Sequence, residues 1–162
     1  MPEATLKSEL KQRQPFRIPE EEAYLNILKT CNELNSEFFR FFKSFGISPV
    51  QYNILRILRG AESEGLSGVE IESRLVTKEP DITRLIDRLE KMSFVRRVRS
   101  NSDRRVIYIK INEKGIRTLK EMDEPVLNLL KKLLGHLSSK ELSEVTNLMV
   151  KARKVSNNGT LK

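Results

Sequence analysis

Apolar side chains recur every three or four positions through Tyr24, Ile27, Leu28, Cys31, Leu34, Phe38, Phe41, Phe42 and Phe45, the spacing that turns one face of an α-helix toward a core. Pro19 followed by Glu20, Glu21 and Glu22 supplies the start, with proline in the first turn and acids at the positive end of the dipole. Gly46 supplies the stop. Residues 1–18 mix charges with Pro2 and Pro15 without a period, and read as an arm that orders only when docked. Ser48-Pro49-Val50-Gln51 and Ser67-Gly68-Val69-Glu70 both have the form of a capping box. The first opens a helix with Val50, Ile54, Ile57 and Leu58 inward and Gly60 as its end; the second opens a short helix to about Leu75. Thr77-Lys78-Glu79-Pro80-Asp81 is a third start signal, ahead of Ile82, Leu85, Ile86, Leu89 and Met92 on one face. Three capped helices with short loops predict a helix-turn-helix.

The period then changes. Phe94–Arg99 and Val106–Ile111 are rich in β-branched residues, and Ser100-Asn101-Ser102-Asp103 between them is turn chemistry, so a hairpin with arginines at its tip is predicted. Helical spacing returns from Glu113 through Ile116, Leu119, Met122, Val126, Leu130, Leu133 and Leu137, with Pro125 placed to kink or break it. Ser138-Ser139-Lys140-Glu141 opens a last helix with Leu142, Val145, Leu148 and Met149 inward. The fold class is mostly α with a small β-hairpin wing: a winged helix-turn-helix flanked by N- and C-terminal dimerisation helices. The layout is an arm (1–18), a dimerisation helix (19–46), a winged helix-turn-helix domain (47–112), C-terminal dimerisation helices (113–157) and a tail (158–162). The flanking helices are assigned to dimerisation because a winged core of that size cannot cover their apolar faces, which leaves them to each other and to a second copy.

Composition narrows the chemistry. The chain has 162 residues with Lys+Arg 30 against Asp+Glu 22, a net charge of +8. One cysteine (Cys31) and one histidine (His136) exclude a disulfide framework, a Cys/His metal site and most nucleophilic centres. No metal, cofactor or glycine-rich phosphate loop is called for, and an enzyme is not expected. No apolar run approaches the ~20 residues that span a bilayer, so no membrane association and a cytoplasmic location are expected. The excess charge is concentrated: residues 93–105 carry +4 and residues 150–162 another +4, whereas the helix 77–92 is neutral. The tail's charge is equally that of a solvated end.

A basic ribbon beside a helix-turn-helix is the electrostatic footprint of double-stranded DNA binding. Around the helix from Thr77, the projected outer face carries Thr77, Pro80, Thr83, Arg84, Asp87, Arg88 and Lys91, and Lys78 and Asp81 join them as candidate DNA contacts at its start. Small side chains at its start let the backbone enter a major groove about 12 Å wide. On the hairpin, Arg96, Arg97, Arg99, Arg104 and Arg105 repel one another unless an anion is near, with little acidic sequence adjacent to supply it. A charged helix face alone is commonly only a solvated face; the arginine hairpin favours the functional reading. The alternative is a winged helix used for DNA architecture or protein contact without sequence-specific readout.

Leu85-Ile86-Asp87-Arg88-Leu89-Glu90-Lys91, Phe94-Val95-Arg96-Arg97, Asp103-Arg104-Arg105 and Ile111-Asn112-Glu113-Lys114-Gly115 together resemble the MarR family of bacterial transcriptional regulators, over roughly residues 22–155. The resemblance implies a homodimer in which the first and last two helices interlock. It also implies that the helix 78–92 reads the major groove, that Asp103 orients the wing and that Arg105 enters the minor groove. A repressor on a pseudo-palindromic operator is the expected role. A small phenolic or anionic effector is a further implication, with Phe38, Phe39 and Tyr52 as candidate pocket residues, although an aromatic stripe at helical spacing is more often ordinary core. Two positions depart from the family pattern: Ser93 stands where a glycine commonly ends the recognition helix, and Asn112 stands where a threonine commonly precedes Glu113. Cys31, within the apolar stripe, reads as a buried, inert hydrophobe.

Overall fold

The computed structural model describes residues 5–61, 64–78, 80–100 and 105–157. Its elements run α1 (Leu6–Glu9), α2 (Pro19–Ser44), α3 (Pro49–Gly60), α4 (Gly68–Arg74), α5 (Ile82–Lys91), β1 (Val95–Arg99), β2 (Ile107–Ile111), α6 (Glu113–Leu134) and α7 (Ser139–Asn157). The chain divides into two compact units, with the boundary between Leu119 and Lys120, within α6.

In the first unit, α3, α4 and α5 pack in sequence, β1 lies on α5, and β2 on α3 and α4. Ile54, Leu55, Leu58, Ile71, Leu89 and Val95 are almost completely excluded from solvent. The hairpin is antiparallel, with Val95 opposite Ile111 and Arg99 opposite Ile107. A third short partner has no strand signal in the sequence: Leu66 bridges Ile109, with N–H···O bonds of 3.0 and 2.7 Å. Gly65 permits it, since a Cβ there would stand 2.7 Å from the Ile109 carbonyl oxygen.

Ser48 and Ser67 each cap their helix, with Gln51 and Glu70 reaching back to the cap N–H. The end of α2 is a Schellman motif: Gly46 at φ +72° donates to the Lys43 carbonyl and Ile47 to that of Phe42, while Ile47 and Phe42 are both buried. The end of α5 repeats it with serine. Ser93, at φ +63°, donates to Glu90 at 2.8 Å, and Phe94 to Leu89 at 2.9 Å. The serine that departs from the family pattern therefore takes the left-handed conformation all the same.

The arm is partly ordered: Thr5 caps α1, Leu6 is buried, and Glu9 meets Lys29 of α2 at 3.5 Å. Pro125 does not break α6, which is one helix from Glu113 to Leu134; proline removes a single N–H donor, and the turns on either side retain theirs. Cys31 is exposed rather than buried, on a helix whose Tyr24, Ile27 and Leu28 are exposed too. Asn112 Oδ1 accepts from Arg96, and its amide donates to the Ser93 carbonyl.

The second unit is the rest of α6 and α7. Ser138 and Glu141 form a reciprocal cap at the start of α7, with bonds of 2.7 and 3.3 Å. Leu127, Leu130, Val145 and Leu148 are exposed. No helix among the described residues is long and apolar enough to cross a membrane.

Candidate nucleic-acid interface

Helix α5 starts four residues later than its sequence signal. Asp81, not Thr77, is the N-cap, and its carboxylate accepts from the backbone N–H of Arg84 at 3.0 Å. Aspartate is among the strongest capping residues, and it takes the cap here. Thr77, Lys78 and Pro80 thus stand, exposed, in the connection before α5. Thr83, Arg84 and Arg88 are exposed on α5 itself, opposite the buried Ile86 and Leu89.

Arg99 ends β1 and Arg105 precedes β2, both exposed. Asp103 and Arg104 lie outside the described residues. The arginines of the hairpin are not equivalent. Arg96 donates to Asn112 Oδ1 at 2.8 Å. Arg97 donates to Asp87 Oδ1 at 2.6 Å and to Glu90 Oε2, and its backbone N–H to Glu90 Oε1 at 3.1 Å. The anion expected only from outside is supplied by α5. Burial opposes the Arg97 charge, but the bonds to Asp87 and Glu90 outweigh it and hold the guanidinium above its ordinary range. Asp87 and Glu90 lie three apart on one helix face, and Arg97 falls on the ribbon face that packs on that helix.

Pairing of those acids changes the balance of α5. Its unpaired-acid count, which made the helix neutral on paper, drops once Asp81 caps the backbone and Asp87 and Glu90 hold Arg97. What α5 presents outward is Thr83, Arg84, Arg88 and Lys91, a face that matches phosphates and base edges.

The candidate effector residues do not form one group. Tyr52 is buried against Phe42, ring centroids 4.5 Å apart, and Phe38 stacks on Phe42 at 6.0 Å. Phe39 is 57% exposed and borders a separate depression of about 470 Å³ with Arg40, Lys43, Ile47, Ser48 and Gln51. Among the described residues no group of His, Cys, Asp and Glu could hold a metal ion.

Comparison with known proteins places this geometry. The MarR family model matches residues 47–107. The HTH-type transcriptional regulator PrsX of Escherichia coli is 31% identical over 122 residues, 74% of each chain. The crystal structure of a MarR transcription factor from Planctomyces limnophilus shares 38% identity with a TM-score of 0.66, covering 83% of this chain and 98% of that one. A mutant MarR of Escherichia coli, solved with operator DNA, has the same fold at 21% identity and a TM-score of 0.73, over 92% of this chain and 99% of the other. A winged core with a basic outer edge and these likenesses have one explanation: the chain belongs to the MarR family and is a DNA-binding transcriptional regulator.

Proposed function

We propose that the protein works in the cytoplasm as a homodimeric repressor that occupies a pseudo-palindromic operator, with half-sites about one helical turn apart. The observation that carries this reading is the engagement of Asp87 and Glu90 by Arg97, which leaves exposed Thr83, Arg84 and Arg88 as the outward chemistry of α5. Thr83 and Arg84, near the helix start, reach base edges, and Arg88 holds a phosphate. Thr77, Lys78 and Pro80 flank the groove from the preceding connection. Arg105 enters the minor groove, whose negative potential attracts guanidinium, and Arg99, Asp103 and Arg104 are the further wing candidates.

Dimerisation is supported by the apolar side chains that a single copy leaves uncovered, Tyr24 and Leu28 on α2 and Val145 and Leu148 on α7 among them. A small phenolic or anionic effector fits the depression bordered by Phe39, where Ile47 offers an apolar wall and Arg40 and Lys43 offer charge. The E. coli MarR relative, solved on operator DNA, is the precedent for the groove-reading arrangement.

Selection of bound fragments from a random duplex pool tests the reading, together with light scattering at micromolar concentration. A dimer mass and a selected site bound at least about 10³ times more tightly than scrambled duplex are expected. A monomer, or equal affinity for both duplexes, would favour an architectural winged helix instead.

A further inference from the structure

Arg97 lies in the middle of β1, opposite Ile109, and ties the ribbon to α5 at two successive helical turns through Asp87 and Glu90. Glu90 is committed twice, to the guanidinium and to the Arg97 backbone N–H at 3.1 Å. The covalent connection between α5 and β1 is only Met92, Ser93 and Phe94, and Arg97 stands about 10 Å farther along the strand, at ~3.3 Å per residue. A short turn fixes where the ribbon begins; a fork of three hydrogen bonds at that distance fixes its angle. The guanidinium plane suits this role because its donors are set in one rigid geometry, unlike the rotatable ammonium of lysine.

We infer that Arg97 is a positioning residue that sets the angle between α5 and the wing through Asp87 and Glu90, and makes no DNA contact of its own. This rests on the reading that α5 and the wing engage one duplex together. An interface read in two grooves at once requires their separation to be held, since small misplacement of one element loses the contacts of the other. The arginine cluster thereby divides by role: Arg97 faces inward to acids, and Arg99 and Arg105 are exposed.

The test measures affinity for two duplexes, one selected by the wild-type protein and one scrambled, over a salt series, with melting curves alongside. Arg97→Gln and the pair Asp87→Asn with Glu90→Gln are each expected to lower the selected-to-scrambled ratio by about tenfold, the scale of one lost base contact. The triple variant is expected to lose no more than either, because all three residues serve one linkage. Arg97→Gln should leave the salt slope on scrambled duplex unchanged. Arg97→Lys, which keeps the charge and holds one acid at a time, should fall between, and serves if the glutamine variant does not fold. A salt slope lowered by about one with the ratio intact would make Arg97 a phosphate contact and overturn the inference. So would a lowered melting temperature with an unchanged ratio below the transition, the mark of a purely structural bridge. If Asp87→Asn with Glu90→Gln raises affinity for both duplexes equally, the acids merely repel DNA and the inference again fails. A wild-type protein that does not discriminate between the duplexes removes the reading of the interface, and the inference with it.

Discussion

Lys114 Nζ donates to the Met92 carbonyl oxygen at 2.9 Å and lies 5.1 Å from the centre of the Phe94 ring. The first turn of α6 thus closes the last turn of α5, where helical carbonyls lack backbone donors. Asn112 adds a bond to the Ser93 carbonyl at 3.2 Å. Lys114→Met keeps the aliphatic stem and removes the donor and the charge. We expect a loss of about 1 kcal/mol, the net worth of one such bond, read as a lower midpoint in urea; an unchanged midpoint would show the cap to be idle.

Ser93 occupies the position that Gly46 fills in the equivalent motif at the end of α2, with φ values of +63° and +72°. A side chain in left-handed backbone costs about 1–2 kcal/mol, partly offset because glycine loses more freedom on folding. Ser93→Gly should therefore stabilise by about 0.5–1 kcal/mol, a rise of about 2 °C in melting temperature for a chain of this size. Ser93→Val, with a branched Cβ, should lower it. The opposite order would contradict the strained-serine account.

Gly115 is needed for closeness rather than for backbone freedom. A Cβ at that position would stand 2.6 Å from the Phe94 carbonyl oxygen and 2.8 Å from Ile111 Cγ1, and the Phe94 oxygen accepts from Asn112 N–H at 2.8 Å. Gly115→Ala must push α6 away from the base of the ribbon. The expected cost is about 1–3 kcal/mol, the range for overpacking, measurable as a lower melting temperature despite alanine's better helix propensity.

These three positions show what the chain's pattern reveals and what it conceals. Caps at Ser48, Ser67 and Ser138 are local, needing partners three residues away, and are legible from spacing alone. At the start of α5 two signals compete within five residues, and Asp81 prevails over Thr77. Leu66 escapes notice because a single bridged residue has no period. The partners of Arg97 are seven and ten residues away on another element, so its inward role depends on how β1 packs against α5. Cys31 and its exposed neighbours follow a helical period that marks an apolar face, but a period does not say whether that face is covered by the same chain.

Acid should loosen two of the three capping boxes and spare the third. Glu70 is held below the usual carboxylate range, first by the Ser67 backbone N–H and then by its hydroxyl; Glu141 is lowered by the Ser138 hydroxyl and then the backbone N–H. Because the folded value lies below the unfolded one, the stability each carboxylate contributes is complete above about pH 4.3 and is lost as the pH falls through the lowered value. Gln51 makes the equivalent bond to Ser48 N–H at 2.9 Å without a charge. Glu70→Gln and Glu141→Gln should therefore flatten the acid limb of melting temperature against pH, with the neutral plateau nearly unchanged. An acid limb as steep as in the wild type would place its origin elsewhere.

Arg84 and Arg88 are one helical turn apart on α5, both exposed. Like charges at that spacing destabilise an isolated helix by about 0.2–0.5 kcal/mol. Arg88→Ala should accordingly leave the melting temperature unchanged or slightly higher, while weakening selected and scrambled duplexes alike and lowering the salt slope by about one. Arg105→Ala should behave differently, weakening the selected site and erasing any A·T preference beside the half-site, because a guanidinium in the minor groove responds to groove width. The two variants together separate phosphate holding from groove reading. If Arg88→Ala lowers stability and spares affinity, α5 carries its cations for the fold, and the assignment of its outer face to DNA is wrong.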